Sequence, residues 1–148
     1  MVLYTSDLYD IISKNSNLSK YFRGVYSINE MPFILMDKPS FIIINLSPSY
    51  EAGSHWVSVV IDKNDESYYF DSYGNIPPSE IINFLERNSK VWYYNNMKFQ
   101  GNLSVLCGYF VIMFAFYFFN DIQKFFKIFK ECKHLLNDKL LINFFKEF

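Results

Sequence analysis

The chain has 148 residues, of which 51% are hydrophobic and 21% aromatic, and a formal net charge of −1 at pH 7. Such a composition excludes an intrinsically disordered chain and is typical of one globular domain, which we take to comprise residues 1–148. The near-neutral charge excludes an overall basic surface for nucleic acid. Two cysteines are too few for a disulfide framework, and the start of the chain shows no signal peptide, so we expect a reducing intracellular location.

The first elements in chain order are a short helix and a loop. Residues 6–15 are predicted as an amphipathic helix because Leu8 and Ile12 stand at the spacing of one apolar face. Residues 20–26, which surround Gly24, are predicted as a turn-like region. A loop punctuated by two prolines follows.

The centre of the sequence predicts buried strands. Residues 41–46, FIIINL, form a continuous apolar run, as expected of a strand that is buried on both faces. The β-branched residues 55–62 and the segment 68–73 lie on either side of Asn64 and Asp65, which favour a turn. These two segments are therefore predicted as adjacent antiparallel strands of a central sheet.

The second half of the chain is mostly helical by pattern. Residues 79–87 follow a Pro-Pro pair, which is typical of a helix entry, and residues 91–94, VWYY, are predicted as a strand. From residue 104 onward the apolar spacing is helical, and the lysines of residues 121–148 are predicted to form a solvated helix face rather than a DNA-binding surface. The order of elements predicts an α+β fold with helices packed on a small sheet.

The uncharged interval 101–120 allows two interpretations. A membrane span needs about 20 apolar residues, and the strongly apolar part, 105–119, falls short of that length. The interior Gly, Cys and Tyr residues, with Gln100 ahead of them, favour a buried core helix. We therefore expect no membrane insertion.

Two strand ends carry groups that suit thiol catalysis, which needs a base beside the thiol and a group that orients the base. His55 starts a predicted strand, whereas His134 lies in the lysine-rich C-terminal segment, where a structural or surface role is expected. Asp71 ends the next strand, and a roughly symmetric hairpin brings it level with His55. The Asp71 carboxylate could then accept a hydrogen bond from Nδ1–H of the imidazole, although an aspartate before Gly74 is also common as a turn cap.

Cys107 is the candidate nucleophile. It stands at the start of a predicted helix, where unpaired backbone N–H groups and the helix dipole favour a thiolate. Its own N–H and the side-chain amide of Gln100 could both donate hydrogen bonds to an oxyanion, and Gly108 could let substrate pass close to the nucleophile. Cys132, in an amphipathic face, is predicted to be an inert buried thiol.

These residues together resemble the adenovirus-type cysteine proteases (adenain), whose clan also includes the SUMO-specific proteases. The resemblance rests on GSHW at 53–56, YYFDSYG at 68–74 and FQGNLSVLCGYF at 99–110, and YFRGVY at 21–26 is similar to the N-terminal segment of the viral branch. The Gln-to-Cys separation of seven positions is that of the adenovirus branch. The frequent Phe, Tyr, Ile, Asn and Lys residues indicate an AT-rich coding sequence. This usage and the compact length fit a virophage or a self-synthesising DNA transposon.

The resemblance implies a cysteine endopeptidase that processes viral precursor proteins. Cys107 would be the nucleophile, His55 the base, Asp71 the carboxylate that orients it and Gln100 the oxyanion donor. The implied fold is a small central mixed β-sheet flanked by helices, with the cysteine at the N-terminus of a buried central helix.

The same resemblance sets expectations for partners and location. Gly53, Trp56 and Gly108, which adjoin the catalytic positions, are expected to bind substrate. The expected substrates are capsid precursors cut near small residues such as Gly during virion maturation. We expect a monomer without metal or cofactor that acts in the host cytoplasm, in a viral factory or in the virion.

Three departures from the adenovirus pattern affect these expectations. Asp71 stands where adenovirus enzymes carry Glu, whereas the SUMO-protease relatives carry Asp there. The chain is also shorter at its C-terminus than the adenovirus enzyme. No cysteine shortly precedes Gln100, which disfavours a disulfide-linked activating peptide, and the near-neutral charge disfavours activation by DNA. The alternatives left open are an isopeptidase that removes ubiquitin or SUMO and a catalytically inactive structural module.

Overall fold

Five strands form one mixed sheet in the computed structural model, which describes residues 2–35, 37–101, 105–131 and 133–147. In sheet order, which is also chain order, the strands are β1 Phe22–Ser27, β2 Ser40–Asn45, β3 Trp56–Ile61, β4 Glu66–Phe70 and β5 Val91–Tyr94. The pairs β1–β2 and β4–β5 are parallel, whereas β2–β3 and β3–β4 are antiparallel. The predicted α+β class with a mixed sheet is confirmed.

Helices cover both faces of this sheet. They are α1 Thr5–Ser13, α2 Ser16–Ser19, α3 Ser79–Asn88, α4 Cys107–Asn120, α5 Ile122–Ile128 and α6 His134–Glu147. Successive side chains of a strand point to opposite faces, so Phe41 and Ile43 pack with α1 and α4, whereas Ile42 and Ile44 pack with α3. This two-sided burial explains the continuous apolar run of β2.

The prediction of a turn-like region at 20–26 is wrong, because β1 begins at Phe22. Gly24 has φ +112° inside the strand, and the register between β1 and β2 shifts between Phe22 and Val25. A bulge of this kind needs a residue that tolerates positive φ, which only glycine does readily. The glycine therefore marks a bulged edge strand and not the end of one.

The β3–β4 hairpin is confirmed, but its register differs from the expected one. Ser58 is paired with Phe70, and the turn contains Asp65 at φ 63°. Extended beyond the strand ends, this register places His55 opposite Tyr73 and not opposite Asp71. Asp71 is then a diagonal neighbour of His55, still within reach of a side-chain contact.

Helix α4 begins at Cys107 and is the central buried helix of the fold. Residues 110–115 within it are all buried against the sheet and the neighbouring helices. Across the described ranges of the chain, no helix is both long enough and apolar enough to cross a bilayer. The uncharged interval thus supplies core side chains from residue 107 onward.

Substitution of Phe114 tests how much the packing of α4 stabilises the fold. Its ring stacks on Phe70 at 4.4 Å and meets Phe125 edge-on at 5.5 Å, and it is only 5% exposed. Phe114→Ala is expected to lower the free energy of unfolding by about 3–5 kcal/mol in urea denaturation, because it removes a buried ring and leaves a cavity. Tyr50→Ala, at a side chain that is 81% exposed, should change it by less than about 0.5 kcal/mol.

Candidate active site

His55 and Asp71 meet just beyond the paired ends of β3 and β4. Nε2 of His55 lies 2.7 Å from Oδ1 of Asp71, and both side chains are largely buried. The predicted contact between the two residues is therefore present, but the predicted nitrogen is wrong, because the carboxylate binds Nε2 and not Nδ1. His55 also hydrogen-bonds with Cys107, for which Nδ1 is the ring nitrogen left available.

The Asp71 carboxylate is held in place by its own neighbours. Its Oδ1 accepts a hydrogen bond from the backbone N–H of Tyr73 at 2.8 Å. Asn95, directly after β5, accepts the Asp71 N–H at 2.9 Å and donates from Nδ2 to the Asp71 carbonyl at 2.5 Å. No local motif in the sequence indicates this role of Asn95, because the contact spans 24 positions.

Tyr73 covers the imidazole. Its ring stacks on that of His55 with centroids 4.5 Å apart and an interplanar angle of 21°. This contact follows from the β3–β4 register, which brings the two residues level. The stacking limits rotation of the imidazole and excludes water from one of its faces.

Cys107 completes the group as the first residue of α4, where its backbone N–H belongs to the unpaired first turn of the helix. The thiol is half-buried and forms no disulfide. Burial of the His55 ring disfavours its charged form, but hydrogen bonds to Asp71 and Cys107 and the negative charge of both outweigh that cost and raise its pKa to about 9. At neutral pH this geometry favours an imidazolium beside Cys107.

Gln100 is connected to the site through Ser72, a residue that no sequence motif indicates. The Ser72 hydroxyl donates a hydrogen bond to Oε1 of Gln100, and the Ser72 carbonyl accepts the backbone N–H groups of Phe99 at 2.8 Å and Gln100 at 3.1 Å. Gln100 is fully buried. Because its amide oxygen accepts from Ser72, its amide nitrogen faces away from Ser72. Its role as an oxyanion donor stays a prediction.

Two of the three predicted substrate-binding residues line a cavity beside Cys107. This cavity of about 300 Å³ contains His55 and Cys107 in its wall together with Gly53 and Trp56. The N-terminal residues Val2, Leu3 and Tyr4 form another part of the same wall. A peptide segment entering this cavity would reach the thiol directly.

Gly108 is buried and serves close packing. A Cβ at this position would lie 3.1 Å from the side chain of Leu3 and 3.3 Å from Trp56. The Trp56 indole in turn donates a hydrogen bond to the Leu3 carbonyl at 2.9 Å. The N-terminal segment therefore packs where substrate was expected near Gly108, and a substrate contact by Gly108 stays a prediction.

The second histidine, His134, is the first residue of α6. A Cβ added at Gly101 would lie 3.5 Å from the Cβ of His134. Cys132 lies outside the described residues. Within the described ranges, no group of three or more His, Cys, Asp or Glu side chains is placed to hold a metal ion.

No protein-family model matches the sequence. Among curated proteins, the SUMO-1 cysteine protease of African swine fever virus is 35% identical over 48 residues, which is 30% of this chain and 18% of that protein. The crystal structure of the protease of the same virus matches with a TM-score of 0.55 and 16% identity over 82% of this chain and 60% of that one.

The class of fold follows from the structural match. The chain has an α+β fold similar to that of the SUMO-protease-like cysteine proteases. It spans less than two thirds of the viral protease structure. Neither of these two matches is to an adenovirus enzyme, so the adenovirus branch and the virophage or transposon source stay predictions.

The raised pKa of His55 can be measured without a substrate. The chain has two histidines, so proton NMR of the imidazole C2–H signals, assigned with His134→Gln, should resolve His55 and show a midpoint near pH 9. Because the pKa of His55 in the folded chain lies above its unfolded value of 6.5, protonation of the ring stabilises the fold. This contribution is complete below pH 6.5 and is lost as the pH rises through about 9. Asp71→Asn should lower the midpoint, because it removes the charge that favours imidazolium. Identical titration midpoints in the wild type and in Asp71→Asn would show that Asp71 does not raise the pKa of His55.

Proposed function

We propose that the chain is a cysteine endopeptidase in which Cys107, His55 and Asp71 form a catalytic triad. The observation that carries the proposal is the continuous contact from the Asp71 carboxylate through the His55 imidazole to the Cys107 thiol. Buried carboxylate–imidazole–thiol chains of this order are the arrangement that nucleophilic thiol catalysis requires. The similarity in fold to cysteine proteases supports it.

The chemistry follows from the positions of these groups. The Cys107 thiolate attacks the carbonyl carbon of the scissile bond, and the negative charge moves to the carbonyl oxygen. The backbone N–H of Cys107 and the amide of Gln100 donate hydrogen bonds to that oxygen. The His55 imidazolium then gives its proton to the leaving amine, which leaves a thioester on Cys107.

The second half of the reaction restores the thiol. Neutral His55 removes a proton from a water molecule, and the resulting hydroxide attacks the thioester and releases the acid product. Asp71 keeps the ring in one orientation and stabilises the imidazolium at each stage. Tyr73 supports the same orientation through its stacking on the ring.

The proposed substrates are viral precursor proteins, such as capsid precursors cut near small residues during virion maturation. The local 35% identity to a viral cysteine protease supports a viral origin. A second candidate is an isopeptidase that removes a ubiquitin-like modifier, because that relative is named as a SUMO-1 protease. Both candidates use the same triad and differ only in the protein that is cut.

One experiment separates these candidates. The purified chain and its Cys107→Ala variant are incubated with co-encoded capsid precursors and, separately, with SUMO and ubiquitin fusions, and cuts are mapped by mass spectrometry. We expect cuts in the precursors that the variant does not make. Cuts only after the terminal Gly-Gly of a fusion would favour the isopeptidase, and no cut in any of them would favour an inactive module.

Reactivity of the thiol gives a test that is independent of substrate. Iodoacetamide should modify Cys107 well below pH 8.5, because the imidazolium of His55 stabilises the thiolate. His55→Ala should slow this modification, whereas His134→Ala should not. Slow modification at equal rates in all three proteins would remove the activated nucleophile on which the proposal depends.

The oxyanion hole predicts a graded loss of rate. Gln100→Ala should lower kcat by about 10²–10³-fold with little change in KM, because the donor acts mainly in the transition state. Ser72→Ala should lower kcat by a smaller factor, about tenfold, since it removes only the hydrogen bond that orients the amide. The double variant should be no slower than Gln100→Ala alone. A loss below fivefold in Gln100→Ala would exclude Gln100 from the mechanism.

A further inference from the structure

A second cavity continues the catalytic one along the carboxyl end of β2. It has a volume of about 340 Å³ and shares Tyr4, Asn45, Gly53 and Trp56 with the cavity that contains Cys107. The two cavities therefore adjoin each other, and we call the pair the substrate groove. A chain segment bound at Cys107 would extend through it.

The far part of the substrate groove is negatively charged. Glu30, which ends the 3₁₀ turn Ile28–Glu30, and Glu51, in the loop between β2 and β3, both line it. No Lys, Arg or His is among its lining residues, and neither glutamate forms an ion pair within the part of the chain that the structure describes. Both carboxylates are therefore available to a cationic ligand.

The two loops that carry these carboxylates are tied together. Nδ2 of Asn29 donates to Oγ of Ser49 at 3.0 Å, and the Ser49 N–H donates to Oδ1 of Asn29 at 2.7 Å. This reciprocal pair spans 20 positions of the sequence. It holds the walls of the groove in place before any ligand binds, which lowers the entropy cost of binding.

Asn45 supplies an independent sign that a ligand belongs here. It is 8% exposed, and its Oδ1 accepts the backbone N–H groups of Ser47 at 2.9 Å and Ser54 at 3.3 Å. These two bonds fix the amide, and Nδ2 has no hydrogen-bond partner among residues 2–35, 37–101, 105–131 and 133–147. A Cβ on Gly53 would lie 2.8 Å from this nitrogen, so glycine keeps the donor open to the groove.

This donor has no partner among the described residues and opens to the groove, so a ligand carbonyl there could take the place of water. We propose that Asn45 binds a backbone carbonyl of an extended peptide and that Glu30 and Glu51 bind a Lys or Arg side chain of that peptide. The inference rests on the proposed endopeptidase function and adds a preference for a basic residue near the cut. A metal ion is the weaker occupant, because the described residues offer no cluster of three ligating side chains here.

The preference can be measured with a library of peptides from a digested proteome. The wild-type chain cuts the library, Cys107→Ala provides the blank, and mass spectrometry counts Lys and Arg within about four residues of each cut. We expect enrichment on one side of the cut only. A matched peptide pair with Lys or Gln at the enriched position should then differ about fivefold in kcat/KM at low salt, and less at high salt.

Variants assign the preference to the groove. The double variant Glu30→Gln, Glu51→Gln should bring the Lys-to-Gln ratio close to one, whereas Glu86→Gln, at an exposed carboxylate of α3, should keep it. Asn45→Asp keeps the acceptor for Ser47 and Ser54 but loses the donor, so it should lower kcat/KM for both peptides. Thermal unfolding checks that each variant is folded.

The outcomes distinguish this inference from the proposed function. Cuts without basic enrichment, or a ratio that survives the double variant, would overturn the inference and leave the endopeptidase intact. A library that stays uncut by a chain whose Cys107 shows no enhanced alkylation would overturn both. Enrichment that disappears in the double variant and persists in Glu86→Gln would support both.

Discussion

The pairing of β3 with β4 is the constraint on which the site depends. It brings His55, just before one strand, within 2.7 Å of Asp71, just after the other. Both groups are shielded from water there, so the interaction between them is stronger than it would be at the surface. Burial of the ring lowers the pKa of His55, but its hydrogen bonds to Asp71 and Cys107, together with the charge of these groups, raise that pKa to about 9.

An aromatic cluster connects the β3–β4 pair with the segments that carry Cys107 and Gln100. Phe70, the last residue of β4, stacks on Phe114 of α4 at 4.4 Å and on Phe99 at 6.2 Å. The carbonyl of Phe99 also accepts a hydrogen bond from Asn137 of α6 at 3.1 Å. The three segments that carry Asp71, Cys107 and Gln100 therefore share one rigid core.

The sequence predicted the parts of this arrangement that local patterns encode. Alternation and turn residues indicated the hairpin, and the apolar run after Cys107 indicated a helix that starts at the thiol. The strand β1 was missed because Gly24 argues locally for a turn, while pairing with β2 decides the outcome. Ser72 and Asn95 were missed because their roles arise from hydrogen bonds across 28 and 24 positions, which no single-sequence pattern shows.

The distribution of charge along the substrate groove connects these observations. The His55 imidazolium lies between the Asp71 carboxylate and Cys107, and the carboxylates of Glu30 and Glu51 line the adjoining cavity. In the proposed function, a peptide would meet hydrogen-bond donors at Asn45 and Gln100 and negative charge beyond them. Such donors bind backbone groups, which every peptide has, so the proposed selectivity between substrates would have to come from the carboxylates and from the shape of the cavity beside Trp56.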